Sequence, residues 1–239
     1  MESGNKITIT VASFNIGAAQ KNGGKFSSEN MALVVSAAKK SGADIIGMQE
    51  VDRGCGRSHG TDMPSEIAAG AGYPYSYFIK IRDFQGGEYG TLILSRYPII
   101  ESKTVDYVLR TTTWGTSCGW ARLDVKGRSL TVFNTHLSCQ SDEGNTETMT
   151  ELGRVIGEYR TGRPDEPVIC MGDFNEFPQK LRRIIPEMQT TAETEKTYKW
   201  KTIDNILRSE GVEASDIHTV DTVSDGTSDH NMLLCNITF

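Results

Sequence analysis

No apolar run approaches the roughly 18 residues that a membrane-spanning helix needs, so none is expected in this 239-residue chain. The first residues, "MESGNK", lack the apolar stretch of a secretory leader. Two locations therefore stay open: the cytoplasm, or secretion with a leader outside these residues. Basic residues are in deficit, 25 Lys and Arg against 31 Asp and Glu, for a formal net charge of −6. That speaks against a protein gripping nucleic acid by a broad basic surface. Neither an aromatic and basic stripe for single strands nor an amphipathic membrane helix is evident. Cysteine is scarce, odd in number and never in C-x-x-C spacing: Cys55, Cys118, Cys139, Cys170 and Cys235. This pattern favours neither a redox nor a zinc role. Cys170 and Cys235, in "VICMG" and "LLCNI", read as small buried hydrophobes. Cys55 and Cys139, beside polar motifs, are expected to be accessible. There is no repeat, low-complexity tract or linker, so one domain over residues 1–239, in a monomer, is expected.

What is present suffices for a core at this length, with 37% hydrophobic and 23% charged residues. "KITITVASF" at 6–14 alternates and is β-branched, as a strand does. "ENMALVVSAAKK" at 29–40 has helical spacing, with Ser28 as the expected cap, lysines in the last turn and Gly42 beyond. "DIIGM" at 44–48 is a short apolar strand. This β–α–β opening favours a parallel pair with a right-handed crossover. Further helices are expected at 64–72, 145–159 and 179–185. Strands are expected at 75–81, 90–94, 99–105, 119–125, 130–135, 167–171, 203–207, 216–220 and 231–239. Lys126–Arg128 makes a hairpin connection, and the polar 190–201 stretch reads as an exposed loop. The class is α/β, with two mixed sheets face to face and helices outside.

Polar clusters stand at the predicted strand ends. Asn15 follows the first strand and Glu50 the second. His136 follows "LTVFNT", Asp173 and Asn175 follow "PVICMG", Asp204 lies in "TIDNIL", and Asp229 and His230 precede the last strand. Ligand sites in α/β sheets collect at strand ends. Asn15, Glu50, Asp173, Asn175 and Asp229 offer hard oxygen, suited to Mg²⁺, with Mn²⁺ or Ca²⁺ as substitutes. Since Mg²⁺ takes only one or two protein carboxylates, some of these must instead orient water or phosphate. Singly, each cluster has a structural reading: a solvated turn, an Asx turn, a loop cap or an edge histidine. Coincidence is a poor account of all of them in this order.

In "SFNI", "GMQEVDR", "YGTLILSRYPI", "FNTHLS", "MGDFNEFP", "TIDNIL" and "TSDH", in that order, the chain resembles the endonuclease/exonuclease/phosphatase superfamily, the fold of DNase I. The resemblance covers nearly the whole chain and implies a four-layer α/β sandwich. It implies Glu50 as principal metal ligand, with Asn15 and Asp229 close by. It also implies Asp173 and Asn175 as the pair orienting water and phosphate. His230, held by Asp204, would contact the scissile phosphate, with His136 on its far side. Tyr89 matches a phosphate-contacting position, with a packed aromatic as the alternative. A cation and two imidazoles would stabilise charge on phosphoryl oxygens. Asp173 would align water or take its proton, and a carboxylate beside His230 would raise its pKa.

The implied activity is divalent-metal-dependent phosphoester hydrolysis by in-line attack of water, most naturally on a diester. The "NTH" histidine, His136, sets the chain apart from AP endonucleases, which as a group lack it, and aligns it with deoxyribonucleases, sphingomyelinases and several phosphatases. Arg53, Arg57 and His59, directly after Glu50, are candidates for a second phosphate or an anionic head group; for Arg53 the alternative is a pair with a nearby acid. Trp114 and Trp120 flank a loop read as the pocket mouth, with core packing the alternative for Trp120. The acidic charge favours a small-molecule or lipid-head-group substrate over DNA or RNA, so nucleic acid stays open as a partner. The reading from another class is a catalytically silent binding module; such relatives usually lose a metal carboxylate or a histidine, and none is missing here.

Overall fold

The opening β–α–β unit forms in the computed structural model, which describes residues 6–20 and 24–239. Residues 1–5, most of the segment read above for a leader, lie outside them. Strands β1 (Thr8–Asn15) and β2 (Ile45–Arg53) pair in parallel, Val11 beside Ile45 and Asn15 beside Gln49. Helix α1 (Ser28–Lys40) crosses between them. Its cap is Ser27, not Ser28: Ser27 is extended and its Oγ accepts the Asn30 N–H at 3.1 Å. The extended backbone that lets a hydroxyl reach the first turn falls one residue earlier than expected.

Helix α2 (Met63–Ala71) ends on Gly72 at φ +78°. The hairpin β3 (Tyr75–Phe84) and β4 (Gly87–Ser95) follows. With β10 (Glu213–Val220) and β11 (Met232–Thr238) they complete a six-stranded sheet ordered β10-β11-β1-β2-β4-β3. The second sheet is β5 (Ile99–Asp106), β6 (Ser117–Val125), β7 (Arg128–His136), β8 (Val168–Asp173) and β9 (Asp204–Arg208), in that spatial order. Both are mixed. Lys126 and Gly127, at φ +54° and +86°, turn the β6–β7 hairpin. Helices α3 (Asp142–Thr161) and α4 (Pro178–Ile184) cover the second sheet's outer face.

Three apolar clusters separate four layers, the sandwich that the resemblance implied. α1 and α2 pack on the first sheet through Met31, Val34, Ile67 and Phe14. Between the sheets lie Val11, Ile45, Ile93, Val132, Met171 and Ile206. α3 and α4 pack through Leu152, Ile156, Leu181 and Phe133. The period-two alternation of a strand sorts each strand's residues between these layers. On β7, Leu130 and Val132 face the other sheet while Phe133 faces α3. On β8, Ile169 and Met171 face inward and Val168 and Cys170 outward.

One buried polar contact ties the sheets together. Asn134, the next inward position on β7, donates through Nδ2 to Met48 O and Leu92 O, each at 3.0 Å. Its Oδ1 accepts from Gln49 Nε2 at 2.8 Å. The sheets approach so closely here that a Cβ on Gly47 would stand 2.8 Å from Met171 Cε and 3.0 Å from Asn134 Oδ1.

Two expectations need correction. The 190–201 stretch is not wholly exposed, for Thr191, Ala192 and Thr197 are buried. Its polar groups serve backbone: Asn205 Oδ1 accepts from Thr191 and Ala192, and Thr197 Oγ1 from Ile203 and Asp204. Cys55 is buried, its Sγ against Glu88 O at 3.2 Å, whereas Cys139 is exposed as expected. Of the two readings of Trp120, core packing is the one observed, its ring 4.9 Å from that of Tyr159. Replacing Asn134 by Leu strands two carbonyls and an amide in a dry layer. Stability should fall by about 2–4 kcal/mol, read as a lower urea midpoint at unchanged m-value.

Candidate active site

Continued past Asn134, the inward alternation delivers charge. On β7 it gives His136, on β8 Asp173 and on β1 Asn15, each at its strand's last position. The antiparallel strands contribute from their starts, Asp204 opening β9 and Tyr89 the third residue of β4. His230 stands just before β11. All lie at one end of the sandwich and all six are buried.

Glu50 arrives differently. It lies inside β2 rather than after it, and regular alternation would put it with Ile46 and Met48 on the α1–α2 face. The register slips between Met48 and Val51, and Glu50 adopts φ +57°. This bulge redirects the carboxylate, whose Oε1 lies 3.2 Å from Asn15 Nδ2. Asn15 Nδ2 also donates to Asp173 Oδ2 at 3.0 Å, and Asn15 Oδ1 accepts the Gly17 N–H at 3.0 Å. The amide nitrogen of Asn15 thus separates two carboxylates. Gly17, Ala18 and Ala19 follow at φ +54°, +50° and +51°, a left-handed turn unfavourable for L-residues. A Cβ on Gly17 would stand 3.5 Å from Asp229 Oδ1, which places the Asp229 carboxylate against this turn.

Two histidines face one carboxylate oxygen. His136 Nε2 lies 3.5 Å and His230 Nε2 3.8 Å from Asp173 Oδ2. Each ring is fixed from behind. Tyr89 Oη meets His136 Nδ1 at 3.2 Å, and Asp204 Oδ2 meets His230 Nδ1 at 2.9 Å. Burial, then the charge of Glu50, pushes the Tyr89 phenol well up, so Tyr89 keeps its proton. Burial would lower the pKa of His230, but Asp204 above all, with Asp173 and Asp229, overcomes it and raises it to about 10. Burial, reinforced by Asp204, raises the Asp173 carboxyl, and both histidines pull it back. Asn175, at φ +52°, gives its N–H to Asp173 Oδ1 at 2.9 Å and its Nδ2 to Leu137 O at 3.0 Å.

The residues fit a hard cation. Ligand atoms of Asp173, Asp204 and His230 lie within 4.8 Å of one another, and Asp204 Oδ1 is buried with no hydrogen-bond partner. An imidazole that is protonated, with Nδ1–H on Asp204, has no lone pair to give a metal. The half-buried carboxylates of Glu50 and Asp229 are therefore the more open oxygen donors.

The arginine and histidine candidates after Glu50 are already engaged. Arg53 pairs with Glu88, Nε to Oε2 at 2.7 Å, and stacks on Phe78. Arg57 grips buried Asp52 with two bonds of 2.8 and 2.9 Å. His59 meets the Phe26 ring edge-on at 5.5 Å. Four contributors escaped the sequence reading. Gln49 and Asn134 set the sheet spacing. Ser228 Oγ donates to Asn15 O at 2.7 Å and accepts His230 N–H at 3.1 Å. The Tyr198 ring lies 4.6 Å from His230, tilted 33°. Asn134 had a signal, being in phase with His136; Tyr198, in a loop, had none.

Known proteins bear out the family. A profile of the Endonuclease/Exonuclease/phosphatase family matches residues 12–230, and the chain belongs to that family. Among solved structures, an endonuclease/exonuclease/phosphatase from Beutenbergia cavernae superposes with TM-score 0.79 at 20% identity, covering 96% of this chain and 71% of that one. The human Nocturnin catalytic domain with bound sulfate gives 0.77 at 19%, covering 98% and 96%. A mannosyl-6-phosphatase of Bacteroides thetaiotaomicron gives 0.70 at 17%, covering 97% and 100%. At these identities the likeness is one of fold. No curated protein matches the sequence.

The His230 contact has a measurable sign. A raised pKa means that protonated His230 stabilises the fold fully below its unfolded value near 6.5 and ceases to do so as pH rises through about 10. In metal-free protein the imidazolium should persist at pH 8 by ¹⁵N NMR. In Asp204→Asn it should titrate far lower; an unchanged midpoint would show that Asp204 does not hold the proton.

Proposed function

We propose that the protein is a divalent-metal-dependent phosphoesterase, acting on a phosphodiester of a small molecule or lipid head group. The convergence of His136 and His230 on one oxygen of Asp173 carries this reading. Asn15 links that oxygen's carboxylate to Glu50. Net charge of −6 supports a substrate other than long nucleic acid.

Glu50 and Asp229 would hold the cation, Mg²⁺ or in its place Mn²⁺ or Ca²⁺. Asn15, expected among the ligands, would instead keep Glu50 and Asp173 apart. A bound dication would polarise the phosphoryl group and offset its charge. Asp173, its basicity raised by burial, takes the proton of the attacking water while Asn175 N–H fixes its second oxygen. Water adds in line and the bond from phosphorus to the leaving oxygen breaks. His230, charged through Asp204, and His136, steered by Tyr89, donate to the phosphoryl oxygens as charge builds there.

Bis-p-nitrophenyl phosphate should be cleaved with Mg²⁺ and not with EDTA. Glu50→Gln and His230→Ala should each lower kcat by roughly 100-fold or more, with near-native circular dichroism. Absence of metal-stimulated cleavage of any phosphoester would leave the silent binding module. Nicking of supercoiled plasmid at enzyme far below substrate would overturn the substrate preference.

A further inference from the structure

Three arginines stack on rings here, Arg53 on Phe78 and both Arg57 and Arg82 on Phe84 and on the Tyr89 that meets His136, and the first two are neutralised. Arg53 has Glu88 and Arg57 has Asp52. The side chain of the third, Arg82 on β3, has no hydrogen bond and no ion pair among the described residues, and its Nε is buried without a partner. Its guanidinium lies 3.7 Å from the Trp114 ring centroid, 4.8 Å from Phe84 and 5.3 Å from Tyr89. Cation–π contact of this kind fixes a guanidinium without satisfying its hydrogen-bond donors.

The scaffold is built from both sheets. Arg82 and Tyr89 are cross-strand partners on β3 and β4. Trp114 comes from the β5–β6 loop, which is pinned over the end of β7. Gly115, at φ +66°, sits where a Cβ would be 2.9 Å from His136 O and 2.8 Å from Ser138 N. Thr112 Oγ1 bonds Ser138 Oγ at 3.0 Å and Gln140 at 2.7 Å. Tyr89 is shared: its ring is 5.9 Å from that of Trp114, and its hydroxyl steers His136. A guanidinium held on three rings, with spare donors and one of those rings meeting His136, is a fork shaped for phosphate oxygens.

We propose that Arg82, held by Trp114, Phe84 and Tyr89, forms a second anion subsite for a phosphate that the substrate carries besides the one cleaved. The proposal rests on the phosphoesterase reading and narrows its substrate to esters with two phosphates. That second phosphate is either the terminal phosphate of a short nucleotide or that of a phosphorylated polyol head group.

The test compares esters differing by one phosphate: the dinucleotide TpT against pTpT and TpTp, and glycerophosphoinositol against its 4-phosphate. With Mg²⁺, wild type should favour the two-phosphate member of at least one series by roughly 10–100-fold in kcat/KM, the worth of charged hydrogen bonds. The series that responds identifies the source. Arg82→Gln should erase the preference through KM, Arg82→Lys should restore it in part, and Trp114→Leu should weaken it. Thermal melts of each variant separate this from misfolding, because a damaged fold lowers both members of a series together. Equal losses on both members, or wild type cleaving bis-p-nitrophenyl phosphate with no gain from a second phosphate, overturns the subsite. Wild type cleaving no phosphoester at all instead removes the activity on which the subsite rests.

Discussion

The amide of Asn134, fully buried between two sheets, fixes the distance across which the residues of the candidate site must reach. It spans from β7 to the carbonyls of Met48 and Leu92 and takes Gln49 as its own donor. Two residues further along β7 is His136, and one residue beyond Gln49 is Glu50. A hydrophobic pair at the same place would tolerate sliding, because dispersion contacts are non-directional. Three hydrogen bonds near 3 Å do not. The polar clasp therefore registers one sheet against the other at the very end where carboxylates and imidazoles must meet.

From that seam the site follows with little further machinery. The inner layer is Leu, Ile, Val and Met for most of its length, then Ser13, Asn134 and Gln49, then Asn15, His136, Asp173 and Asp204. The gradient runs along the strands, from apolar core through neutral amides to charge. Asp173 at its end is buried enough to be made basic, yet it and Asp204 each have a hydrogen-bond partner that orients them. Arg57, Asp52 and Tyr89 extend the polar end sideways into a wall of stacked cations and rings.

Much of this was legible beforehand, and for a definite reason. Period-two alternation and strand-end position are local properties, so "FNTH", "GDFN" and "SDH" could be placed at one edge without coordinates. The family motifs then supplied the four layers. What stayed hidden depends on contacts between segments distant in sequence. The bulge that swings Glu50 inward is set by pairing with β4, and nothing in "GMQEVDR" announces it. Arg57 looked available because its partner Asp52 is chosen by the fold, and for Arg53 the pairing with an acid, one of its two readings, is made by Glu88. Arg82 drew no reading from the sequence, because its side chain's lack of a partner is equally a property of the fold. Thr191 and Thr197 read as solvent loop, since polar composition cannot reveal that the hydroxyl of Thr197 and the backbone N–H of Thr191 are consumed internally.

The left-handed backbone at Glu50 carries an evolutionary implication. An L-residue held at φ +57° costs on the order of 1 kcal/mol relative to glycine, which occupies that region freely. Selection for thermal robustness alone would therefore drift position 50 toward glycine, deleting the carboxylate while relaxing the chain. The proposed chemistry and the scaffold pull in opposite directions at this one codon, and a library sorted only on folding should enrich the sequence without the carboxylate.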